Sequence, residues 1–174
     1  MKASSARCWR NRQAPAAKAA EVGSGASWHQ VSADGPVPCP APAGHPAIVT
    51  MFRLLLNVDE AVRDRAMAFA AKTLPTTDSG VLVVENHGNA GSLRHVRARR
   101  HRGERWFAEL SHEQVETLLD RHGFEVTGRR GFSMLTPSLH DHGIARAVDA
   151  ALRRLPGGDT YAVNILYTAR RVHA

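Results

Sequence analysis

Two short segments of this 174-residue chain gather side chains that can bind and transfer groups. The first, Glu85-Asn86-His87-Gly88-Asn89, places a carboxylate, two amides and an imidazole directly after the β-branched run at 81–84. An imidazole titrates near neutrality, so His87 is a candidate catalytic base for an attacking OH or NH group. Asn86 and Asn89 are candidate substrate-binding residues. The competing reading is a loop whose asparagines satisfy their own backbone. The second segment, Met51-Phe52-Arg53, follows an apolar run with a thioether, an aromatic ring and a guanidinium. Its bland alternative puts Phe52 in the core and Arg53 on the surface or against a helix.

Two other groupings invite chemistry and carry less. His140-Asp141-His142 has the alternate spacing of a loop metal site, but zinc needs a third protein ligand and none is evident, so no metal is expected. Arg94, Arg97, Arg99, Arg100, Arg102 and Arg105, with His95 and His101, form a basic stretch. As a non-catalytic binding module it could engage RNA or an acidic partner, with affinity falling steeply as salt rises. A solvated helix face is the simpler reading, and nucleic acid is not the expected partner.

A rhythm of strands and helices positions the two main segments. Residues 47–54 (AIVTMFRL) begin as a short apolar run suited to a strand buried on both faces. Asn57 is the expected cap of the following helix, with Glu60 returning the hydrogen bond. Val62, Ala66, Phe69, Ala70 and Leu74 then repeat at helical spacing until Pro75. Residues 80–85 (GVLVVE) show no polar alternation, the pattern of an interior parallel strand. Ser111 and Gln114 form a second capping box with Leu110 and Val115 as a hydrophobic staple, and Gly123 suits the left-handed residue after that helix. Further strands are expected from Phe124 and over 161–169, and a helix over 144–155 before Pro156-Gly157-Gly158. The alternation predicts an α/β fold with a mostly parallel sheet and helices on both faces. Such sheets bind ligands outside the carboxyl ends of their strands, where 51–53 and 85–89 fall.

Bulk properties narrow the class. No apolar run reaches the ~18 residues of a membrane span, and the Arg-containing start has no apolar stretch for export. Cys8 and Cys39 are too few for a disulfide scaffold, so a reducing cytoplasm is expected. The net charge of +7 bears on partners rather than on fold. Composition shifts near residue 46. Residues 1–22 hold few large apolar groups and are predicted to be disordered, and five prolines in 35–46 exclude a helix or central strand there.

Read together, these segments resemble the class I S-adenosyl-L-methionine-dependent methyltransferases. Residues 48–57 (IVTMFRLLLN) look like that family's fourth strand and exit loop, and 81–94 (VLVVENHGNAGSLR) like the fifth strand and its loop. Residues 106–126 look like the helix leading into the sixth strand, and GF at 131–132 with NILYTARR at 164–171 completes the pattern. Trp28-His29-Gln30-Val31-Ser32-Ala33-Asp34 is similar to the third strand, although Asp34 before Gly35 also reads as a turn. The resemblance spans roughly 28–172 and implies two regions, a leader at 1–27 and a methyltransferase-like α/β domain at 28–174.

The resemblance implies a Rossmann-like sheet of order 3-2-1-4-5-7-6 with an antiparallel last strand, incomplete in its N-terminal half. It implies S-adenosyl-L-methionine as cofactor and a small-molecule methyl acceptor. Met51, Phe52 and Arg53 would border the methionine end of the cofactor, and Ala33 and Asp34 the adenine. Glu21-Val22-Gly23-Ser24-Gly25 has only the beginning of the family's glycine loop, so Gly23 and Gly25 are its cofactor-binding candidates. Eight residues separate Gly25 from Asp34. A βαβ unit needs about 30, so the family's intervening elements do not fit there. The expectation is a truncated or internally deleted methyltransferase with impaired cofactor binding.

Overall fold

A computed structural model of the chain describes residues 46–100, 109–132 and 157–172, the isolated positions 36, 143, 147, 150, 151 and 154, and the backbone alone at 97–100 and 159. The chain divides into two units, Met1–Pro36 and Val37–Ala174, and the fold below is that of the second.

Strand β1 (Ala47–Met51) leads through a tight turn to helix α1 (Glu60–Thr73), and a 3-10 turn at Thr77–Ser79 feeds β2 (Gly80–Asn86). Helix α2 (Leu93–Arg100), helix α3 (His112–Arg121) and strand β3 (Phe124–Phe132) follow, and a 3-10 turn at Gly158–Tyr161 precedes β4 (Asn164–Arg171). Within the expected helix at 144–155, Ala147, Ala150, Ala151 and Arg154 are helical.

The four strands form one sheet in the order β1-β2-β4-β3. β1 and β2 pair in parallel, while β4 runs antiparallel to both β2 and β3. The fold is therefore α/β, Rossmann-like, with three strands in one direction and the last reversed. This is the 4-5-7-6 run of the expected order. The buried apolar residues Val49, Met51, Leu82, Val84, Ile165, Tyr167 and Ala169 fall in register across the sheet. They share a core with Met67 and Ala70 of α1, its C-cap Leu74, and Val115, Leu118 and Leu119 of α3. On β1 the alternate position points the other way, and Ile48 is 74% exposed.

Local chemistry explains the element ends. Ser111 and Gln114 form the expected capping box of α3: the Gln114 amide donates to Ser111 Oγ at 3.1 Å and the Ser111 amide to Gln114 Oε1 at 2.8 Å. At the other end Gly123 has φ +71°, and an added Cβ would meet the Arg171 guanidinium. That guanidinium donates to the carbonyls of His122 and Gly123 and lies over the Phe124 ring, so β4 caps the C-terminus of α3. Arg121 and His122 also reach α1, pairing with Glu60 at 3.2 Å and with Asp64 at 2.9 Å. The His122 hydrogen bond is the main cause holding the Asp64 carboxyl below its usual pKa.

Several expected boundaries move. Asp59, not Asn57, caps α1, accepting the Val62 amide at 2.9 Å. Asn57 is drawn away because its side chain donates to the Arg53 carbonyl. The fully buried residues are Met67 and Ala70 of α1 and its C-cap Leu74, with Val62, Ala66 and Phe69 half-buried beside them. β3 runs on to Phe132 through a register shift between Val126 and Gly128, and β4 starts at Asn164 because 158–161 close a turn.

Candidate functional site

Parallel pairing brings the two chemistry-bearing segments together. The register ends at Met51 opposite Val84, so Phe52 and Arg53 leave β1 beside Glu85 at the end of β2. Leu55 is fully buried and anchors the exit loop in the core. Between anchor and strand, Arg53 takes φ +53°. Its amide donates to Glu85 Oε2 at 3.0 Å, and its carbonyl accepts from Asn57 Nδ2 at 2.6 Å. Phe52 is 57% exposed, which excludes the reading as a core residue. Met51 is buried in the apolar core, so its side chain turns from the strand tip and its backbone borders it.

The loop after β2 is a rigid platform. Asn86 donates to the Leu110 carbonyl at 3.0 Å and accepts the Gly88 amide at 3.2 Å. Asn89 donates to the carbonyls of Thr160 at 2.7 Å and Ala162 at 2.9 Å, and accepts the Gly91 amide at 3.1 Å. Both asparagines are fully buried and satisfy backbone groups, their own loop's included. Backbone bonds from Asn89 to Val163, from Ala90 to Leu110 and from Leu110 to Gly88 complete the tie between three chain segments. Ser92 then caps α2, with its Oγ 2.7 Å from His95 Nδ1 and accepting the His95 amide at 3.2 Å.

His87 stands on this platform. It is half-buried, and its shielded Nδ1 has no hydrogen-bond partner among the described residues. Burial holds its pKa below the ordinary histidine value, the Glu85 carboxylate works against that, and Arg53 adds to it. The neutral form, the one able to accept a proton, therefore prevails at neutral pH.

Beneath the platform lies a polar pair that sequence reading missed. Tyr167 on β4 is fully buried and its hydroxyl sits 2.7 Å from Nδ1 of His112, the first residue of α3. Burial pushes the Tyr167 pKa up to about 12 and lowers that of His112. Period-2 alternation along 164–169 marks Tyr167 as inward-facing, but nothing in the sequence names its partner 55 positions away. Tyr167 contributes stability that is present below its ordinary pKa of 10 and lost as pH rises through about 12.

The two histidines make an acid limb. Their folded pKa values lie below the ordinary 6.5, so the unfolded chain takes up protons first as pH falls. Their contribution is intact above pH 6.5 and is lost as pH drops below that toward the depressed folded values. Melting curves between about pH 7.5 and 5 are expected to fall across that window, and His87→Gln and His112→Asn to flatten the fall. An acid limb unchanged by both variants would contradict the assignment.

Gly23, Gly25, Ala33 and Asp34 lie outside the described residues, as do His140, Asp141 and His142 and the side chains of Arg97, Arg99 and Arg100. Among the described residues no group of three or more His, Cys, Asp or Glu could hold a metal ion, and no helix is long and apolar enough to cross a membrane. An open groove between α1 and α3 is walled by Glu60, Arg63, Glu113, Gln114, Thr117 and Arg121, side chains that are partly cross-paired.

No family model matches the chain, and no curated protein matches it. Among solved structures it is similar to the [4+2]-cyclase SpnF, at 23% identity and TM-score 0.48 over 91% of this chain and 61% of that one. It is also similar to a SAM-dependent methyltransferase of Thermotoga maritima, described as a possible histamine N-methyltransferase, at 16% identity and TM-score 0.48 over 72% and 56%. A SAM-dependent methyltransferase of Archaeoglobus fulgidus follows at 11% identity and TM-score 0.44 over 75% and 61%. In each case the chain spans less than two thirds of the solved protein's length.

Proposed function

We propose that the chain is an S-adenosyl-L-methionine-dependent methyltransferase-like protein, acting in the cytoplasm on a small-molecule acceptor, with its ligand site at the carboxyl tips of β1 and β2. The observation that carries this reading is the sheet order β1-β2-β4-β3 with β4 reversed, whose parallel tips bring Phe52, Arg53, Glu85 and His87 together. The methyltransferase-like domain is taken as 28–174, with 1–27 as a leader.

The residues at the tips suit a sulfonium cofactor in type. Exposed Phe52 offers an aromatic face to a cation, and the Glu85 carboxylate adds negative charge nearby. Phe52, Arg53 and the Met51 backbone would hold its methionine end, Ala33 and Asp34 its adenine, and Gly23 and Gly25 would belong to its glycine loop. When bound, the cofactor supplies a methyl group on a sulfonium, open to in-line displacement by an acceptor oxygen or nitrogen. The chain's own residues bind and orient the reactants. His87, neutral at the working pH, is the base that takes the acceptor's proton. Asn86 and Asn89 shape the acceptor side by fixing the loop that carries His87, since their amides are already engaged.

The glycine stretch at 21–25 lacks the family's final glycine, and the chain up to Asp34 is short for a ribose-binding βα unit, so cofactor binding is expected to be weak. Calorimetric titration of the full chain with S-adenosyl-L-methionine should give a dissociation constant above about 100 μM, a binding free energy weaker than roughly 5.5 kcal/mol. A micromolar constant would overturn the impairment and retain the methyltransferase reading. No saturable binding at millimolar ligand, by calorimetry or by NMR, would overturn the reading itself.

A further inference from the structure

Arg53 is the one non-glycine residue with positive φ among the described residues. The left-handed region is disfavoured for any residue with a Cβ, and Asn or Gly would occupy it more readily than Arg. Such conformations persist where the surroundings over-determine them, and they cluster at ligand sites. Here both flanking peptide groups are caught by side chains: Asn57 holds the carbonyl from the same loop, and Glu85 holds the amide from the neighbouring strand.

The Glu85 bond is the informative one. It joins residues 32 positions apart, across the tips of the parallel pair, and Glu85 is only 7% exposed. A carboxylate withdrawn from water needs strong donors, and a backbone amide aimed at one of its oxygens is such a donor. β2 is fixed by β1 on one side and β4 on the other, so the clamp is attached to an interior strand of the sheet. Phe52 sits between the clamped residue and β1 and is exposed.

We propose that Glu85 is a positioning residue: its carboxylate clamps Arg53 in the left-handed conformation and thereby fixes the Phe52–Arg53 wall of the ligand site. The inference rests on the ligand site proposed above. Glu85 is also two residues from His87 and favours its protonated form, so its removal shifts the imidazole in a known direction.

The test compares the full chain with Glu85→Gln, Glu85→Ala, Arg53→Gly and the double variant Glu85→Ala/Arg53→Gly. In Glu85→Ala the Arg53 amide is expected to exchange with solvent on the order of tenfold faster, with Val49 and Val83 amides nearly unchanged. Glu85→Gln, which keeps an acceptor but not the charge, should have a smaller effect on exchange while lowering the His87 pKa in an NMR titration. Glycine adopts the left-handed conformation without strain, so Arg53→Gly should restore at least half of the melting temperature lost in Glu85→Ala. Where the wild type binds S-adenosyl-L-homocysteine, Glu85→Ala should weaken that binding about tenfold. Unchanged protection at Arg53, loss of protection spread equally to Val49 and Val83, additive losses in the double variant, or unweakened ligand binding would each overturn the clamp. Failure of the wild type to bind would sink the proposed function, while the exchange and rescue measurements still decide whether Glu85 holds Arg53.

Discussion

Gly80→Ala is expected to destabilise the protein by about 3 kcal/mol or more, lowering its melting temperature by roughly 6–12 °C. Gly80 opens β2 with φ +135°, a conformation open in practice only to glycine. A Cβ there would stand 1.8 Å from the Ala47 carbonyl oxygen and 2.7 Å from the Ala47 carbonyl carbon. Those are backbone atoms, so no rotamer change relieves the clash. Ala47 is also the register partner of Gly80, where the parallel pairing begins. The strands must separate at that end or slide, and sliding would disturb the Met51–Val84 pairing that brings Phe52 and Arg53 to Glu85. Gly128→Ala is the matched control, because a Cβ there would meet only Thr168 Cβ at 4.0 Å, an ordinary contact. Its expected cost is under about 1 kcal/mol. Equal melting temperatures for the two variants would show that the start of β2 is not built as described.

The contrast between these glycines shows which parts of the fold the sequence could carry. β2 was legible because its run of β-branched residues is flanked by breakers, and α3 because Ser111 and Gln114 cap it by local bonds. Both signals act over a few residues. The expected cap at Asn57 failed because Asp59, two residues on, has the same capping chemistry. A bond from Asn57 to Arg53 decided it, and that bond depends on how the β1 exit loop folds. The extension of β3 through Gly128-Arg129-Arg130 was hidden because its residues are polar. Arg129 is tolerated there by pairing with Glu116 of α3 at 3.1 Å. The candidate site divides the same way. Its placement at the strand tips followed from the α/β alternation, and Asn86 and Asn89 could be read as turn-forming from their type. What each side chain reaches could not be read: Glu85 bonds 32 positions back, Asn89 bonds 71 and 73 positions ahead, and His112 meets Tyr167 across 55. These links close only when the sheet has formed.

Asn89 gives the second large effect and the clearest link from stability to chemistry. Its fully buried amide serves three backbone groups, two carbonyls at 160 and 162 and the amide of Gly91. Truncation in Asn89→Ala removes the partner of all three, the Ala162 carbonyl in a buried position and the other two in partly buried ones, for an expected loss of about 2–4 kcal/mol by chemical denaturation. Asn89→Asp keeps the volume but replaces the donor with an oxygen facing two carbonyl oxygens, so at neutral pH it should be at least as damaging. Protonation restores one donor, so the Asp variant should recover part of its stability as pH falls, against the downward trend of the wild type. A simple packing role would make the isosteric Asp variant the milder of the two at neutral pH and give no such recovery. The consequence for chemistry runs through His87. With the platform loosened, water reaches the imidazole, the burial that depresses its pKa is relieved, and its titration should move up toward the ordinary value. An upward shift in Asn89→Ala, with the Arg53 amide still protected from exchange, would separate the two supports of the site. The Asn89 loop would then set the state of the base, while the Glu85 clamp sets the wall beside it.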